Sequence, residues 1–176
     1  VVLTTNAGLW SYVIGDVVRF VGRAPPRLLV TGRTAWMLSA FGEHVTGEEI
    51  ALALESAAAA QGITVAEWCC GPEFAGALGR HRFILEAASD PARAAPLAAA
   101  FDAALQAANE DYAAHRHGGQ MLQPAVVIVP PGAFEAWMRA QGKLGGQHKV
   151  PRVIADPARF AAAAAALTAP HASPPL

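Results

Sequence analysis

Strand-like and helix-like stretches follow one another irregularly along this chain. That irregularity argues against the folds built from repeated βαβ units and for an α+β protein with a small mixed or antiparallel sheet flanked by helices. The β-branched run 1–5 and the stretches 9–14, 17–21, 27–31 and 34–39 read as strands, broken by Asn6-Ala-Gly8, Gly15-Asp16, Arg23-Ala-Pro-Pro26 and Gly32-Arg33. The Gly32-Arg33 pair reads as a hinge. Thr46-Gly-Glu-Glu49 has the form of a capping box and opens a helix to about residue 60, with Ile50, Leu54 and Ala57 on its apolar face. Residues 63–70 and 81–88 predict an antiparallel strand pair across a Gly/Pro-rich connection. One long helix is expected over 96–114, a strand over 125–129, a short helix burying Phe134, Trp137 and Met138, and an alanine-rich helix over 157–167. The Pro-rich stretch 170–176 is expected to be disordered.

A length of 176 residues suffices for a real core. Net charge is -1 and no run of Lys and Arg forms a face, so the electrostatic drive for nucleic-acid binding is missing. The apolar fraction of 53% is carried largely by alanine, and no stretch of about 18 strongly apolar residues is long enough to span a bilayer. Cys69 and Cys70 are adjacent, which suits neither a zinc motif nor a disulfide framework; strand alternation predicts one buried and the other partly exposed. A reducing, cytoplasmic setting is the expectation. Because Val1 opens in the middle of a strand-like run, the chain reads as a fragment whose upstream part is missing.

The two lysines of the chain, Lys143 and Lys149, lie in one glycine-rich segment, Lys143-Leu-Gly-Gly-Gln-His-Lys149-Val-Pro-Arg152. Glycines let a backbone approach a ligand or move, and a lysine is a compact cation, so this is a candidate anion-handling loop. At the other end, Asp16 after Gly15 could accept hydrogen bonds from vicinal hydroxyls, as acidic residues do for nucleotide riboses, or could bond its own turn. Arg33 could touch a nucleotide or solvate a turn. A nucleophile elbow is absent, and the spacing of His115 and His117 is poor for a metal.

The order of these motifs carries a resemblance. Leu3-Thr-Thr-Asn-Ala-Gly-Leu-Trp-Ser-Tyr-Val-Ile-Gly-Asp16, Phe20-Val-Gly-Arg, Thr31-Gly-Arg33, Met37-Leu-Ser39, Gly42-Glu43, Glu48-Glu49 and Gln147-His-Lys-Val-Pro-Arg152 closely resemble the carboxyl-terminal third of the Gretchen Hagen auxin-responsive family of acyl-acid amido synthetases, members of the adenylate-forming superfamily. The likeness runs from residue 1 to about residue 154, and the segment bearing Asn109 and Tyr112 looks like that family's penultimate long helix. The Lys-Val-Pro-Arg ending is its most particular element.

The resemblance implies a division into the terminal strands of a large adenylate-binding domain (1–31), a mobile C-terminal lid (32–169) and a tail (170–176). It implies a ligase that uses ATP to activate a carboxylic acid as acyl-AMP and then forms an amide with an amine or amino acid. Asp16, in the Tyr12-x-x-Gly15-Asp16 element, would hold the AMP ribose; Arg33 would serve the ribose or the hinge; Lys149 would meet the phosphate, with Lys143 the weaker candidate. Mg2+ is implied with its ligands upstream, as are the phosphate loop, the acyl pocket and the N-terminal adenylation domain, and the fragment by itself is expected to be inactive. Ser11, Val13 and His44 depart from common plant members, which leaves the acid and the amine open. Two other readings stand beside this one: a non-catalytic α+β binding module derived from such a lid, and the lid of an acyl-CoA ligase.

Overall fold

The structure, a computed structural model, describes residues 1–33, 36–76, 78–143 and 148–169. Two antiparallel hairpins come first. β1 (Val2–Leu3) pairs with β2 (Tyr12–Val13), and β3 (Asp16–Arg23) pairs with β4 (Pro26–Arg33) in a register that sets Asp16 opposite Arg33 and Phe20 opposite Leu28. Gly15, at φ 79°, supplies the left-handed backbone that separates β2 from β3. Strand β2 is shorter than the expected 9–14. Gly32 and Arg33, expected to break the chain, are instead the last ladder residues of β4.

The second unit is a three-stranded mixed sheet. β5 (Val65–Ala75) pairs antiparallel with β6 (Leu78–Ala87), and β6 pairs parallel with β7 (Ala125–Val129). Helices cover both faces. On one, α1 (Gly47–Ala60) and α2 (Ala94–Ala108) enclose Cys70, Phe83 and Leu85 with Ile50, Leu54, Leu97, Phe101 and Leu105. On the other, α4 (Ala133–Ala140) and α5 (Pro157–Thr168) enclose Cys69 and Ile84 with Phe134, Trp137, Met138, Phe160 and Leu167. Adjacent strand residues point to opposite faces, so a sheet covered twice buries both cysteines completely, correcting the expectation that one is partly exposed. Burial pushes the Cys69 thiol up to about 12 and that of Cys70 also well up, Cys69 itself adding to the effect on Cys70. Edge-to-face packing of Phe83 and Phe101, 4.7 Å between centroids, centres the first core. Each such ring contributes about 1.5–3 kcal/mol through burial.

Local chemistry explains where elements start and stop. Thr46 and Glu49 form the expected capping box, Thr46 Oγ1 accepting from the Glu49 amide at 3.3 Å and Glu49 Oε2 accepting from the Thr46 amide at 2.8 Å. The single helix expected over 96–114 is two, α2 and α3 (Glu110–His117), because Asn109 turns extended and its Oδ1 accepts from the Tyr112 amide at 2.8 Å. The supposed Gly/Pro-rich connection after Cys70 is paired strand: Gly71 faces Arg82 and Pro72 faces His81. Proline is tolerated there because β5 lies at the sheet edge.

The segment between the hairpins and α1 is bound to the second unit. The expected strand 34–39 is not seen in its described part, where Leu38 makes an isolated antiparallel bridge to Val45. Both side chains enter the first core. Phe41 packs edge-on against His81 and Phe74, and fits only because Gly79 beneath it has no Cβ. The tail 170–176 lies outside the described residues.

Candidate functional site

Lys149 is followed directly by a stretch tied to the sheet, and Lys143 closes the end of α4. Upstream, α4 ends at Ala140, Gly142 adopts φ 67°, and the Lys143 amide donates to the Met138 carbonyl at 3.0 Å. Residues 144–147, the glycines expected to permit movement among them, lie outside the described residues. Downstream, Val150 packs on the second core. The chain then joins the outer edge of β5: the Cys70 amide donates to the Arg152 carbonyl and the Ile154 amide to the Cys70 carbonyl, each at 2.8 Å. His148 and Lys149 are exposed between these anchors.

Two open clefts flank the lysines, and Lys143, His148 and Lys149 line both. One, of about 690 Å3, also has Trp137, Asp156 and Arg159 on its walls. The other, of about 710 Å3, has Trp36, Glu67, Phe134 and Arg152. A cleft with an apolar floor and several cations can hold a ligand with an aromatic or aliphatic part and an anionic group. Among the described residues, no group of three or more His, Cys, Asp and Glu is placed to hold a metal.

Asp16 and Arg33 are brought together by the β3–β4 register, with Asp16 half-buried. Tyr12 is exposed on β2, two residues before the backbone turn that ends at Gly15. Neither lysine cleft is lined by Tyr12, Gly15 or Asp16. The connection between the two groups is Trp36: it lines the second cleft and follows Arg33 by three residues, a span of at most about 11 Å. Lys149 and Lys143 therefore share a site, Asp16 and Arg33 share a ladder pair, and Trp36 lies between them in the chain.

Sequence reading missed several residues of this region. Glu67 and Trp68, assigned to an ordinary strand, hold Arg152. The Arg152 Nη1 is ion-paired with Glu67 and donates to the Trp68 carbonyl at 2.9 Å, and its guanidinium carbon lies 4.9 Å from the Trp68 ring centroid. Burial pulls this guanidinium below its ordinary value. The signal available was Arg152 itself, closing the Lys-Val-Pro-Arg sequence; its partners lie some 85 positions away. His44, set in the segment before α1, is held by α3: its amide donates to Asp111 Oδ2 at 2.7 Å and its carbonyl accepts from Asn109 Nδ2 at 2.9 Å.

A mixed sheet covered by helices on both faces, a cationic stretch along its edge and two exposed hairpins before it make up the described architecture. A family model described as the GH3 family C-terminal domain matches residues 48–158, and one described as the GH3 family central domain matches residues 1–33. The chain belongs to the GH3 family. Among solved structures, it is similar to one described as GH3.15 acyl acid amido synthetase, with a TM-score of 0.74 and 21% identity over 96% of this chain and 31% of that one. It is also similar to AtGH3.15 acyl acid amido synthetase in complex with 2,4-DB, with a TM-score of 0.70 and 20% identity over 93% of this chain and 32% of that one. At such identity the likeness shows the fold, and this chain spans less than a third of each of those structures. Among curated proteins, none matches it in sequence.

Proposed function

We propose that this chain is the C-terminal portion of an ATP-dependent acyl-acid amido synthetase, with residues 1–31 completing a large adenylate-binding domain and residues 32–169 forming the lid. The observation that carries the reading is the placement of Lys149: an exposed cation immediately before a stretch paired to the edge of β5, within the residues matched by the GH3 C-terminal model. ATP supplies the adenylyl group that activates the acid. Lys149 places positive charge against phosphoryl oxygens, Asp16 accepts from ribose hydroxyls, Arg33 serves the ribose or the hinge, and Tyr12 and Gly15 complete the cofactor-binding element. Asp16 suits that role in being a half-buried carboxylate beside a left-handed glycine. Carboxylic acid, amine and the N-terminal adenylation domain are the partners this reading requires, in a cytoplasmic enzyme. Mg2+ would be held by residues outside this chain.

A unit charge about 4 Å from a phosphoryl oxygen, at an effective dielectric near 20, interacts by about 4 kcal/mol. Lys149→Ala in the full-length protein is therefore expected to lower acid-dependent ATP–pyrophosphate exchange several hundredfold or more, read with a panel of alkanoic and aryl acids. Exchange that survives at the wild-type rate rejects the role. Product mass then separates an amide from a coenzyme-A thioester. Absence of exchange in the wild type with every acid of the panel would favour a lid-derived binding module.

A further inference from the structure

The downstream anchor of the Lys149 segment is more elaborate than a sheet ladder requires. Between Val65 and Glu67 the β5–β6 register shifts by a bulge, which re-aims the residues that follow. Glu67 Oε1 accepts from the next amide, that of Trp68, at 3.0 Å, and the same oxygen is ion-paired with Arg152. Trp68 offers Arg152 its carbonyl and its ring face, while the ring also packs towards Phe83 in the first core. Glu67, Lys149 and Arg152 line one cleft. Only Val150 and Pro151 separate Arg152 from Lys149; Val150 is packed on the second core and the proline ring fixes its own φ, so little backbone slack remains between the anchor and the Lys149 Cα.

We infer that Arg152, clamped by Glu67 and Trp68, is a positioning residue that fixes where Lys149 stands, and that it acts through Lys149 rather than by meeting the substrate. This rests on the role proposed for Lys149. The guanidinium is committed to a carboxylate, a carbonyl and an aromatic face, an arrangement that a planar fork satisfies and a lysine satisfies only in part. A displacement of about 1 Å in a group that stabilises a transition state can cost about a hundredfold in rate.

The test uses the full-length protein and two readouts: acid-dependent ATP–pyrophosphate exchange and backbone amide hydrogen exchange of residues 148–154. Arg152→Ala is expected to lower kcat about tenfold to a hundredfold with little change in the KM for ATP. Arg152→Lys is expected to recover part of the loss, and amide exchange to rise in 148–154 while β6 and β7 stay protected. In a Lys149→Ala background, Arg152→Ala should cost nothing further, because both act on one charge. Wild-type rates with wild-type protection in Arg152→Ala overturn the inference, as do losses that multiply in the double variant. Should Arg152→Ala not yield folded protein, Glu67→Gln, which keeps an oxygen for the Trp68 amide and removes the negative charge that pairs with Arg152, is held to the same outcomes. If Lys149→Ala itself leaves exchange intact, the role of Lys149 falls, and amide exchange alone still decides whether Arg152 holds the segment.

Discussion

Glu43 and His81 meet with neither residue appreciably exposed to solvent, the carboxylate on the segment before α1 and the imidazole on β6. Glu43 Oε2 also accepts from the Phe41 amide at 2.9 Å. Burial by itself would raise the Glu43 carboxyl; the hydrogen bond and charge of His81, with the amides of Glu43 and Phe41, outweigh it and hold the group below its ordinary value. A carboxyl depressed in the folded state contributes stability that is fully present above its unfolded value and is lost as pH falls through the folded one. The melting temperature is therefore expected to drop below about pH 4, and Glu43→Gln to flatten that acid limb while lowering stability near neutrality. Thermal melts of both forms from neutral to acid pH check this; an acid limb of equal steepness in Glu43→Gln rejects it. His81 Nδ1 is buried with no hydrogen-bond partner among the described residues, so the pair is engaged on one side of the ring only.

At the scale of elements, Gly71 is where three of them converge. A Cβ on it would overlap the Phe160 ring of α5 and stand 2.6 Å from the Ile154 carbonyl oxygen. Gly71→Ala is expected to destabilise by about 1–3 kcal/mol, seen as a lower denaturation midpoint, because neither a packed ring nor a backbone oxygen can step aside cheaply. An unchanged midpoint would show that α5 sits less tightly than described. Elements written in local chemistry were legible beforehand: the Thr46–Glu49 capping box and the apolar face of α1 are where the residues predict them. Elements decided by distant partners were not. Asn109 cuts a helical pattern in two because its side chain also reaches Glu49 Oε1 at 3.1 Å and the His44 carbonyl, contacts no window of sequence contains. The extension of β5 through Pro72 depends on its lying at an edge, and the burial of both cysteines on helices arriving from either side. In the site, scarcity of lysine and surrounding glycine singled out Lys149, whereas the Glu67–Trp68–Arg152 clamp depends on a bulge and on register.

For the whole molecule, the two cores are complete within residues 38–167, while the hairpins before them are not covered. Trp10 is 83% exposed and Phe20 66%, and Val2, Val13, Val21, Leu28, Leu29 and Val30 are exposed as well. An apolar surface of this kind marks an interface, and the reading proposed above gives it to the adenylation domain. Taken by itself, the 176-residue chain is expected to self-associate in sedimentation experiments, with Phe20→Ser combined with Leu29→Ser shifting it toward monomer. A chain that stays monomeric at high concentration without those changes would mean the hairpins need no cover.

Residues 152–154 lie along the outer side of β5, where Cys70 would otherwise present an unpaired amide and carbonyl to water. An open strand edge is a template on which another chain can grow an intermolecular ladder. The stretch that follows Lys149 thus also acts as a selvedge for the sheet. Any variant that lets it peel away is expected to lose edge protection together with the placement proposed for Lys149.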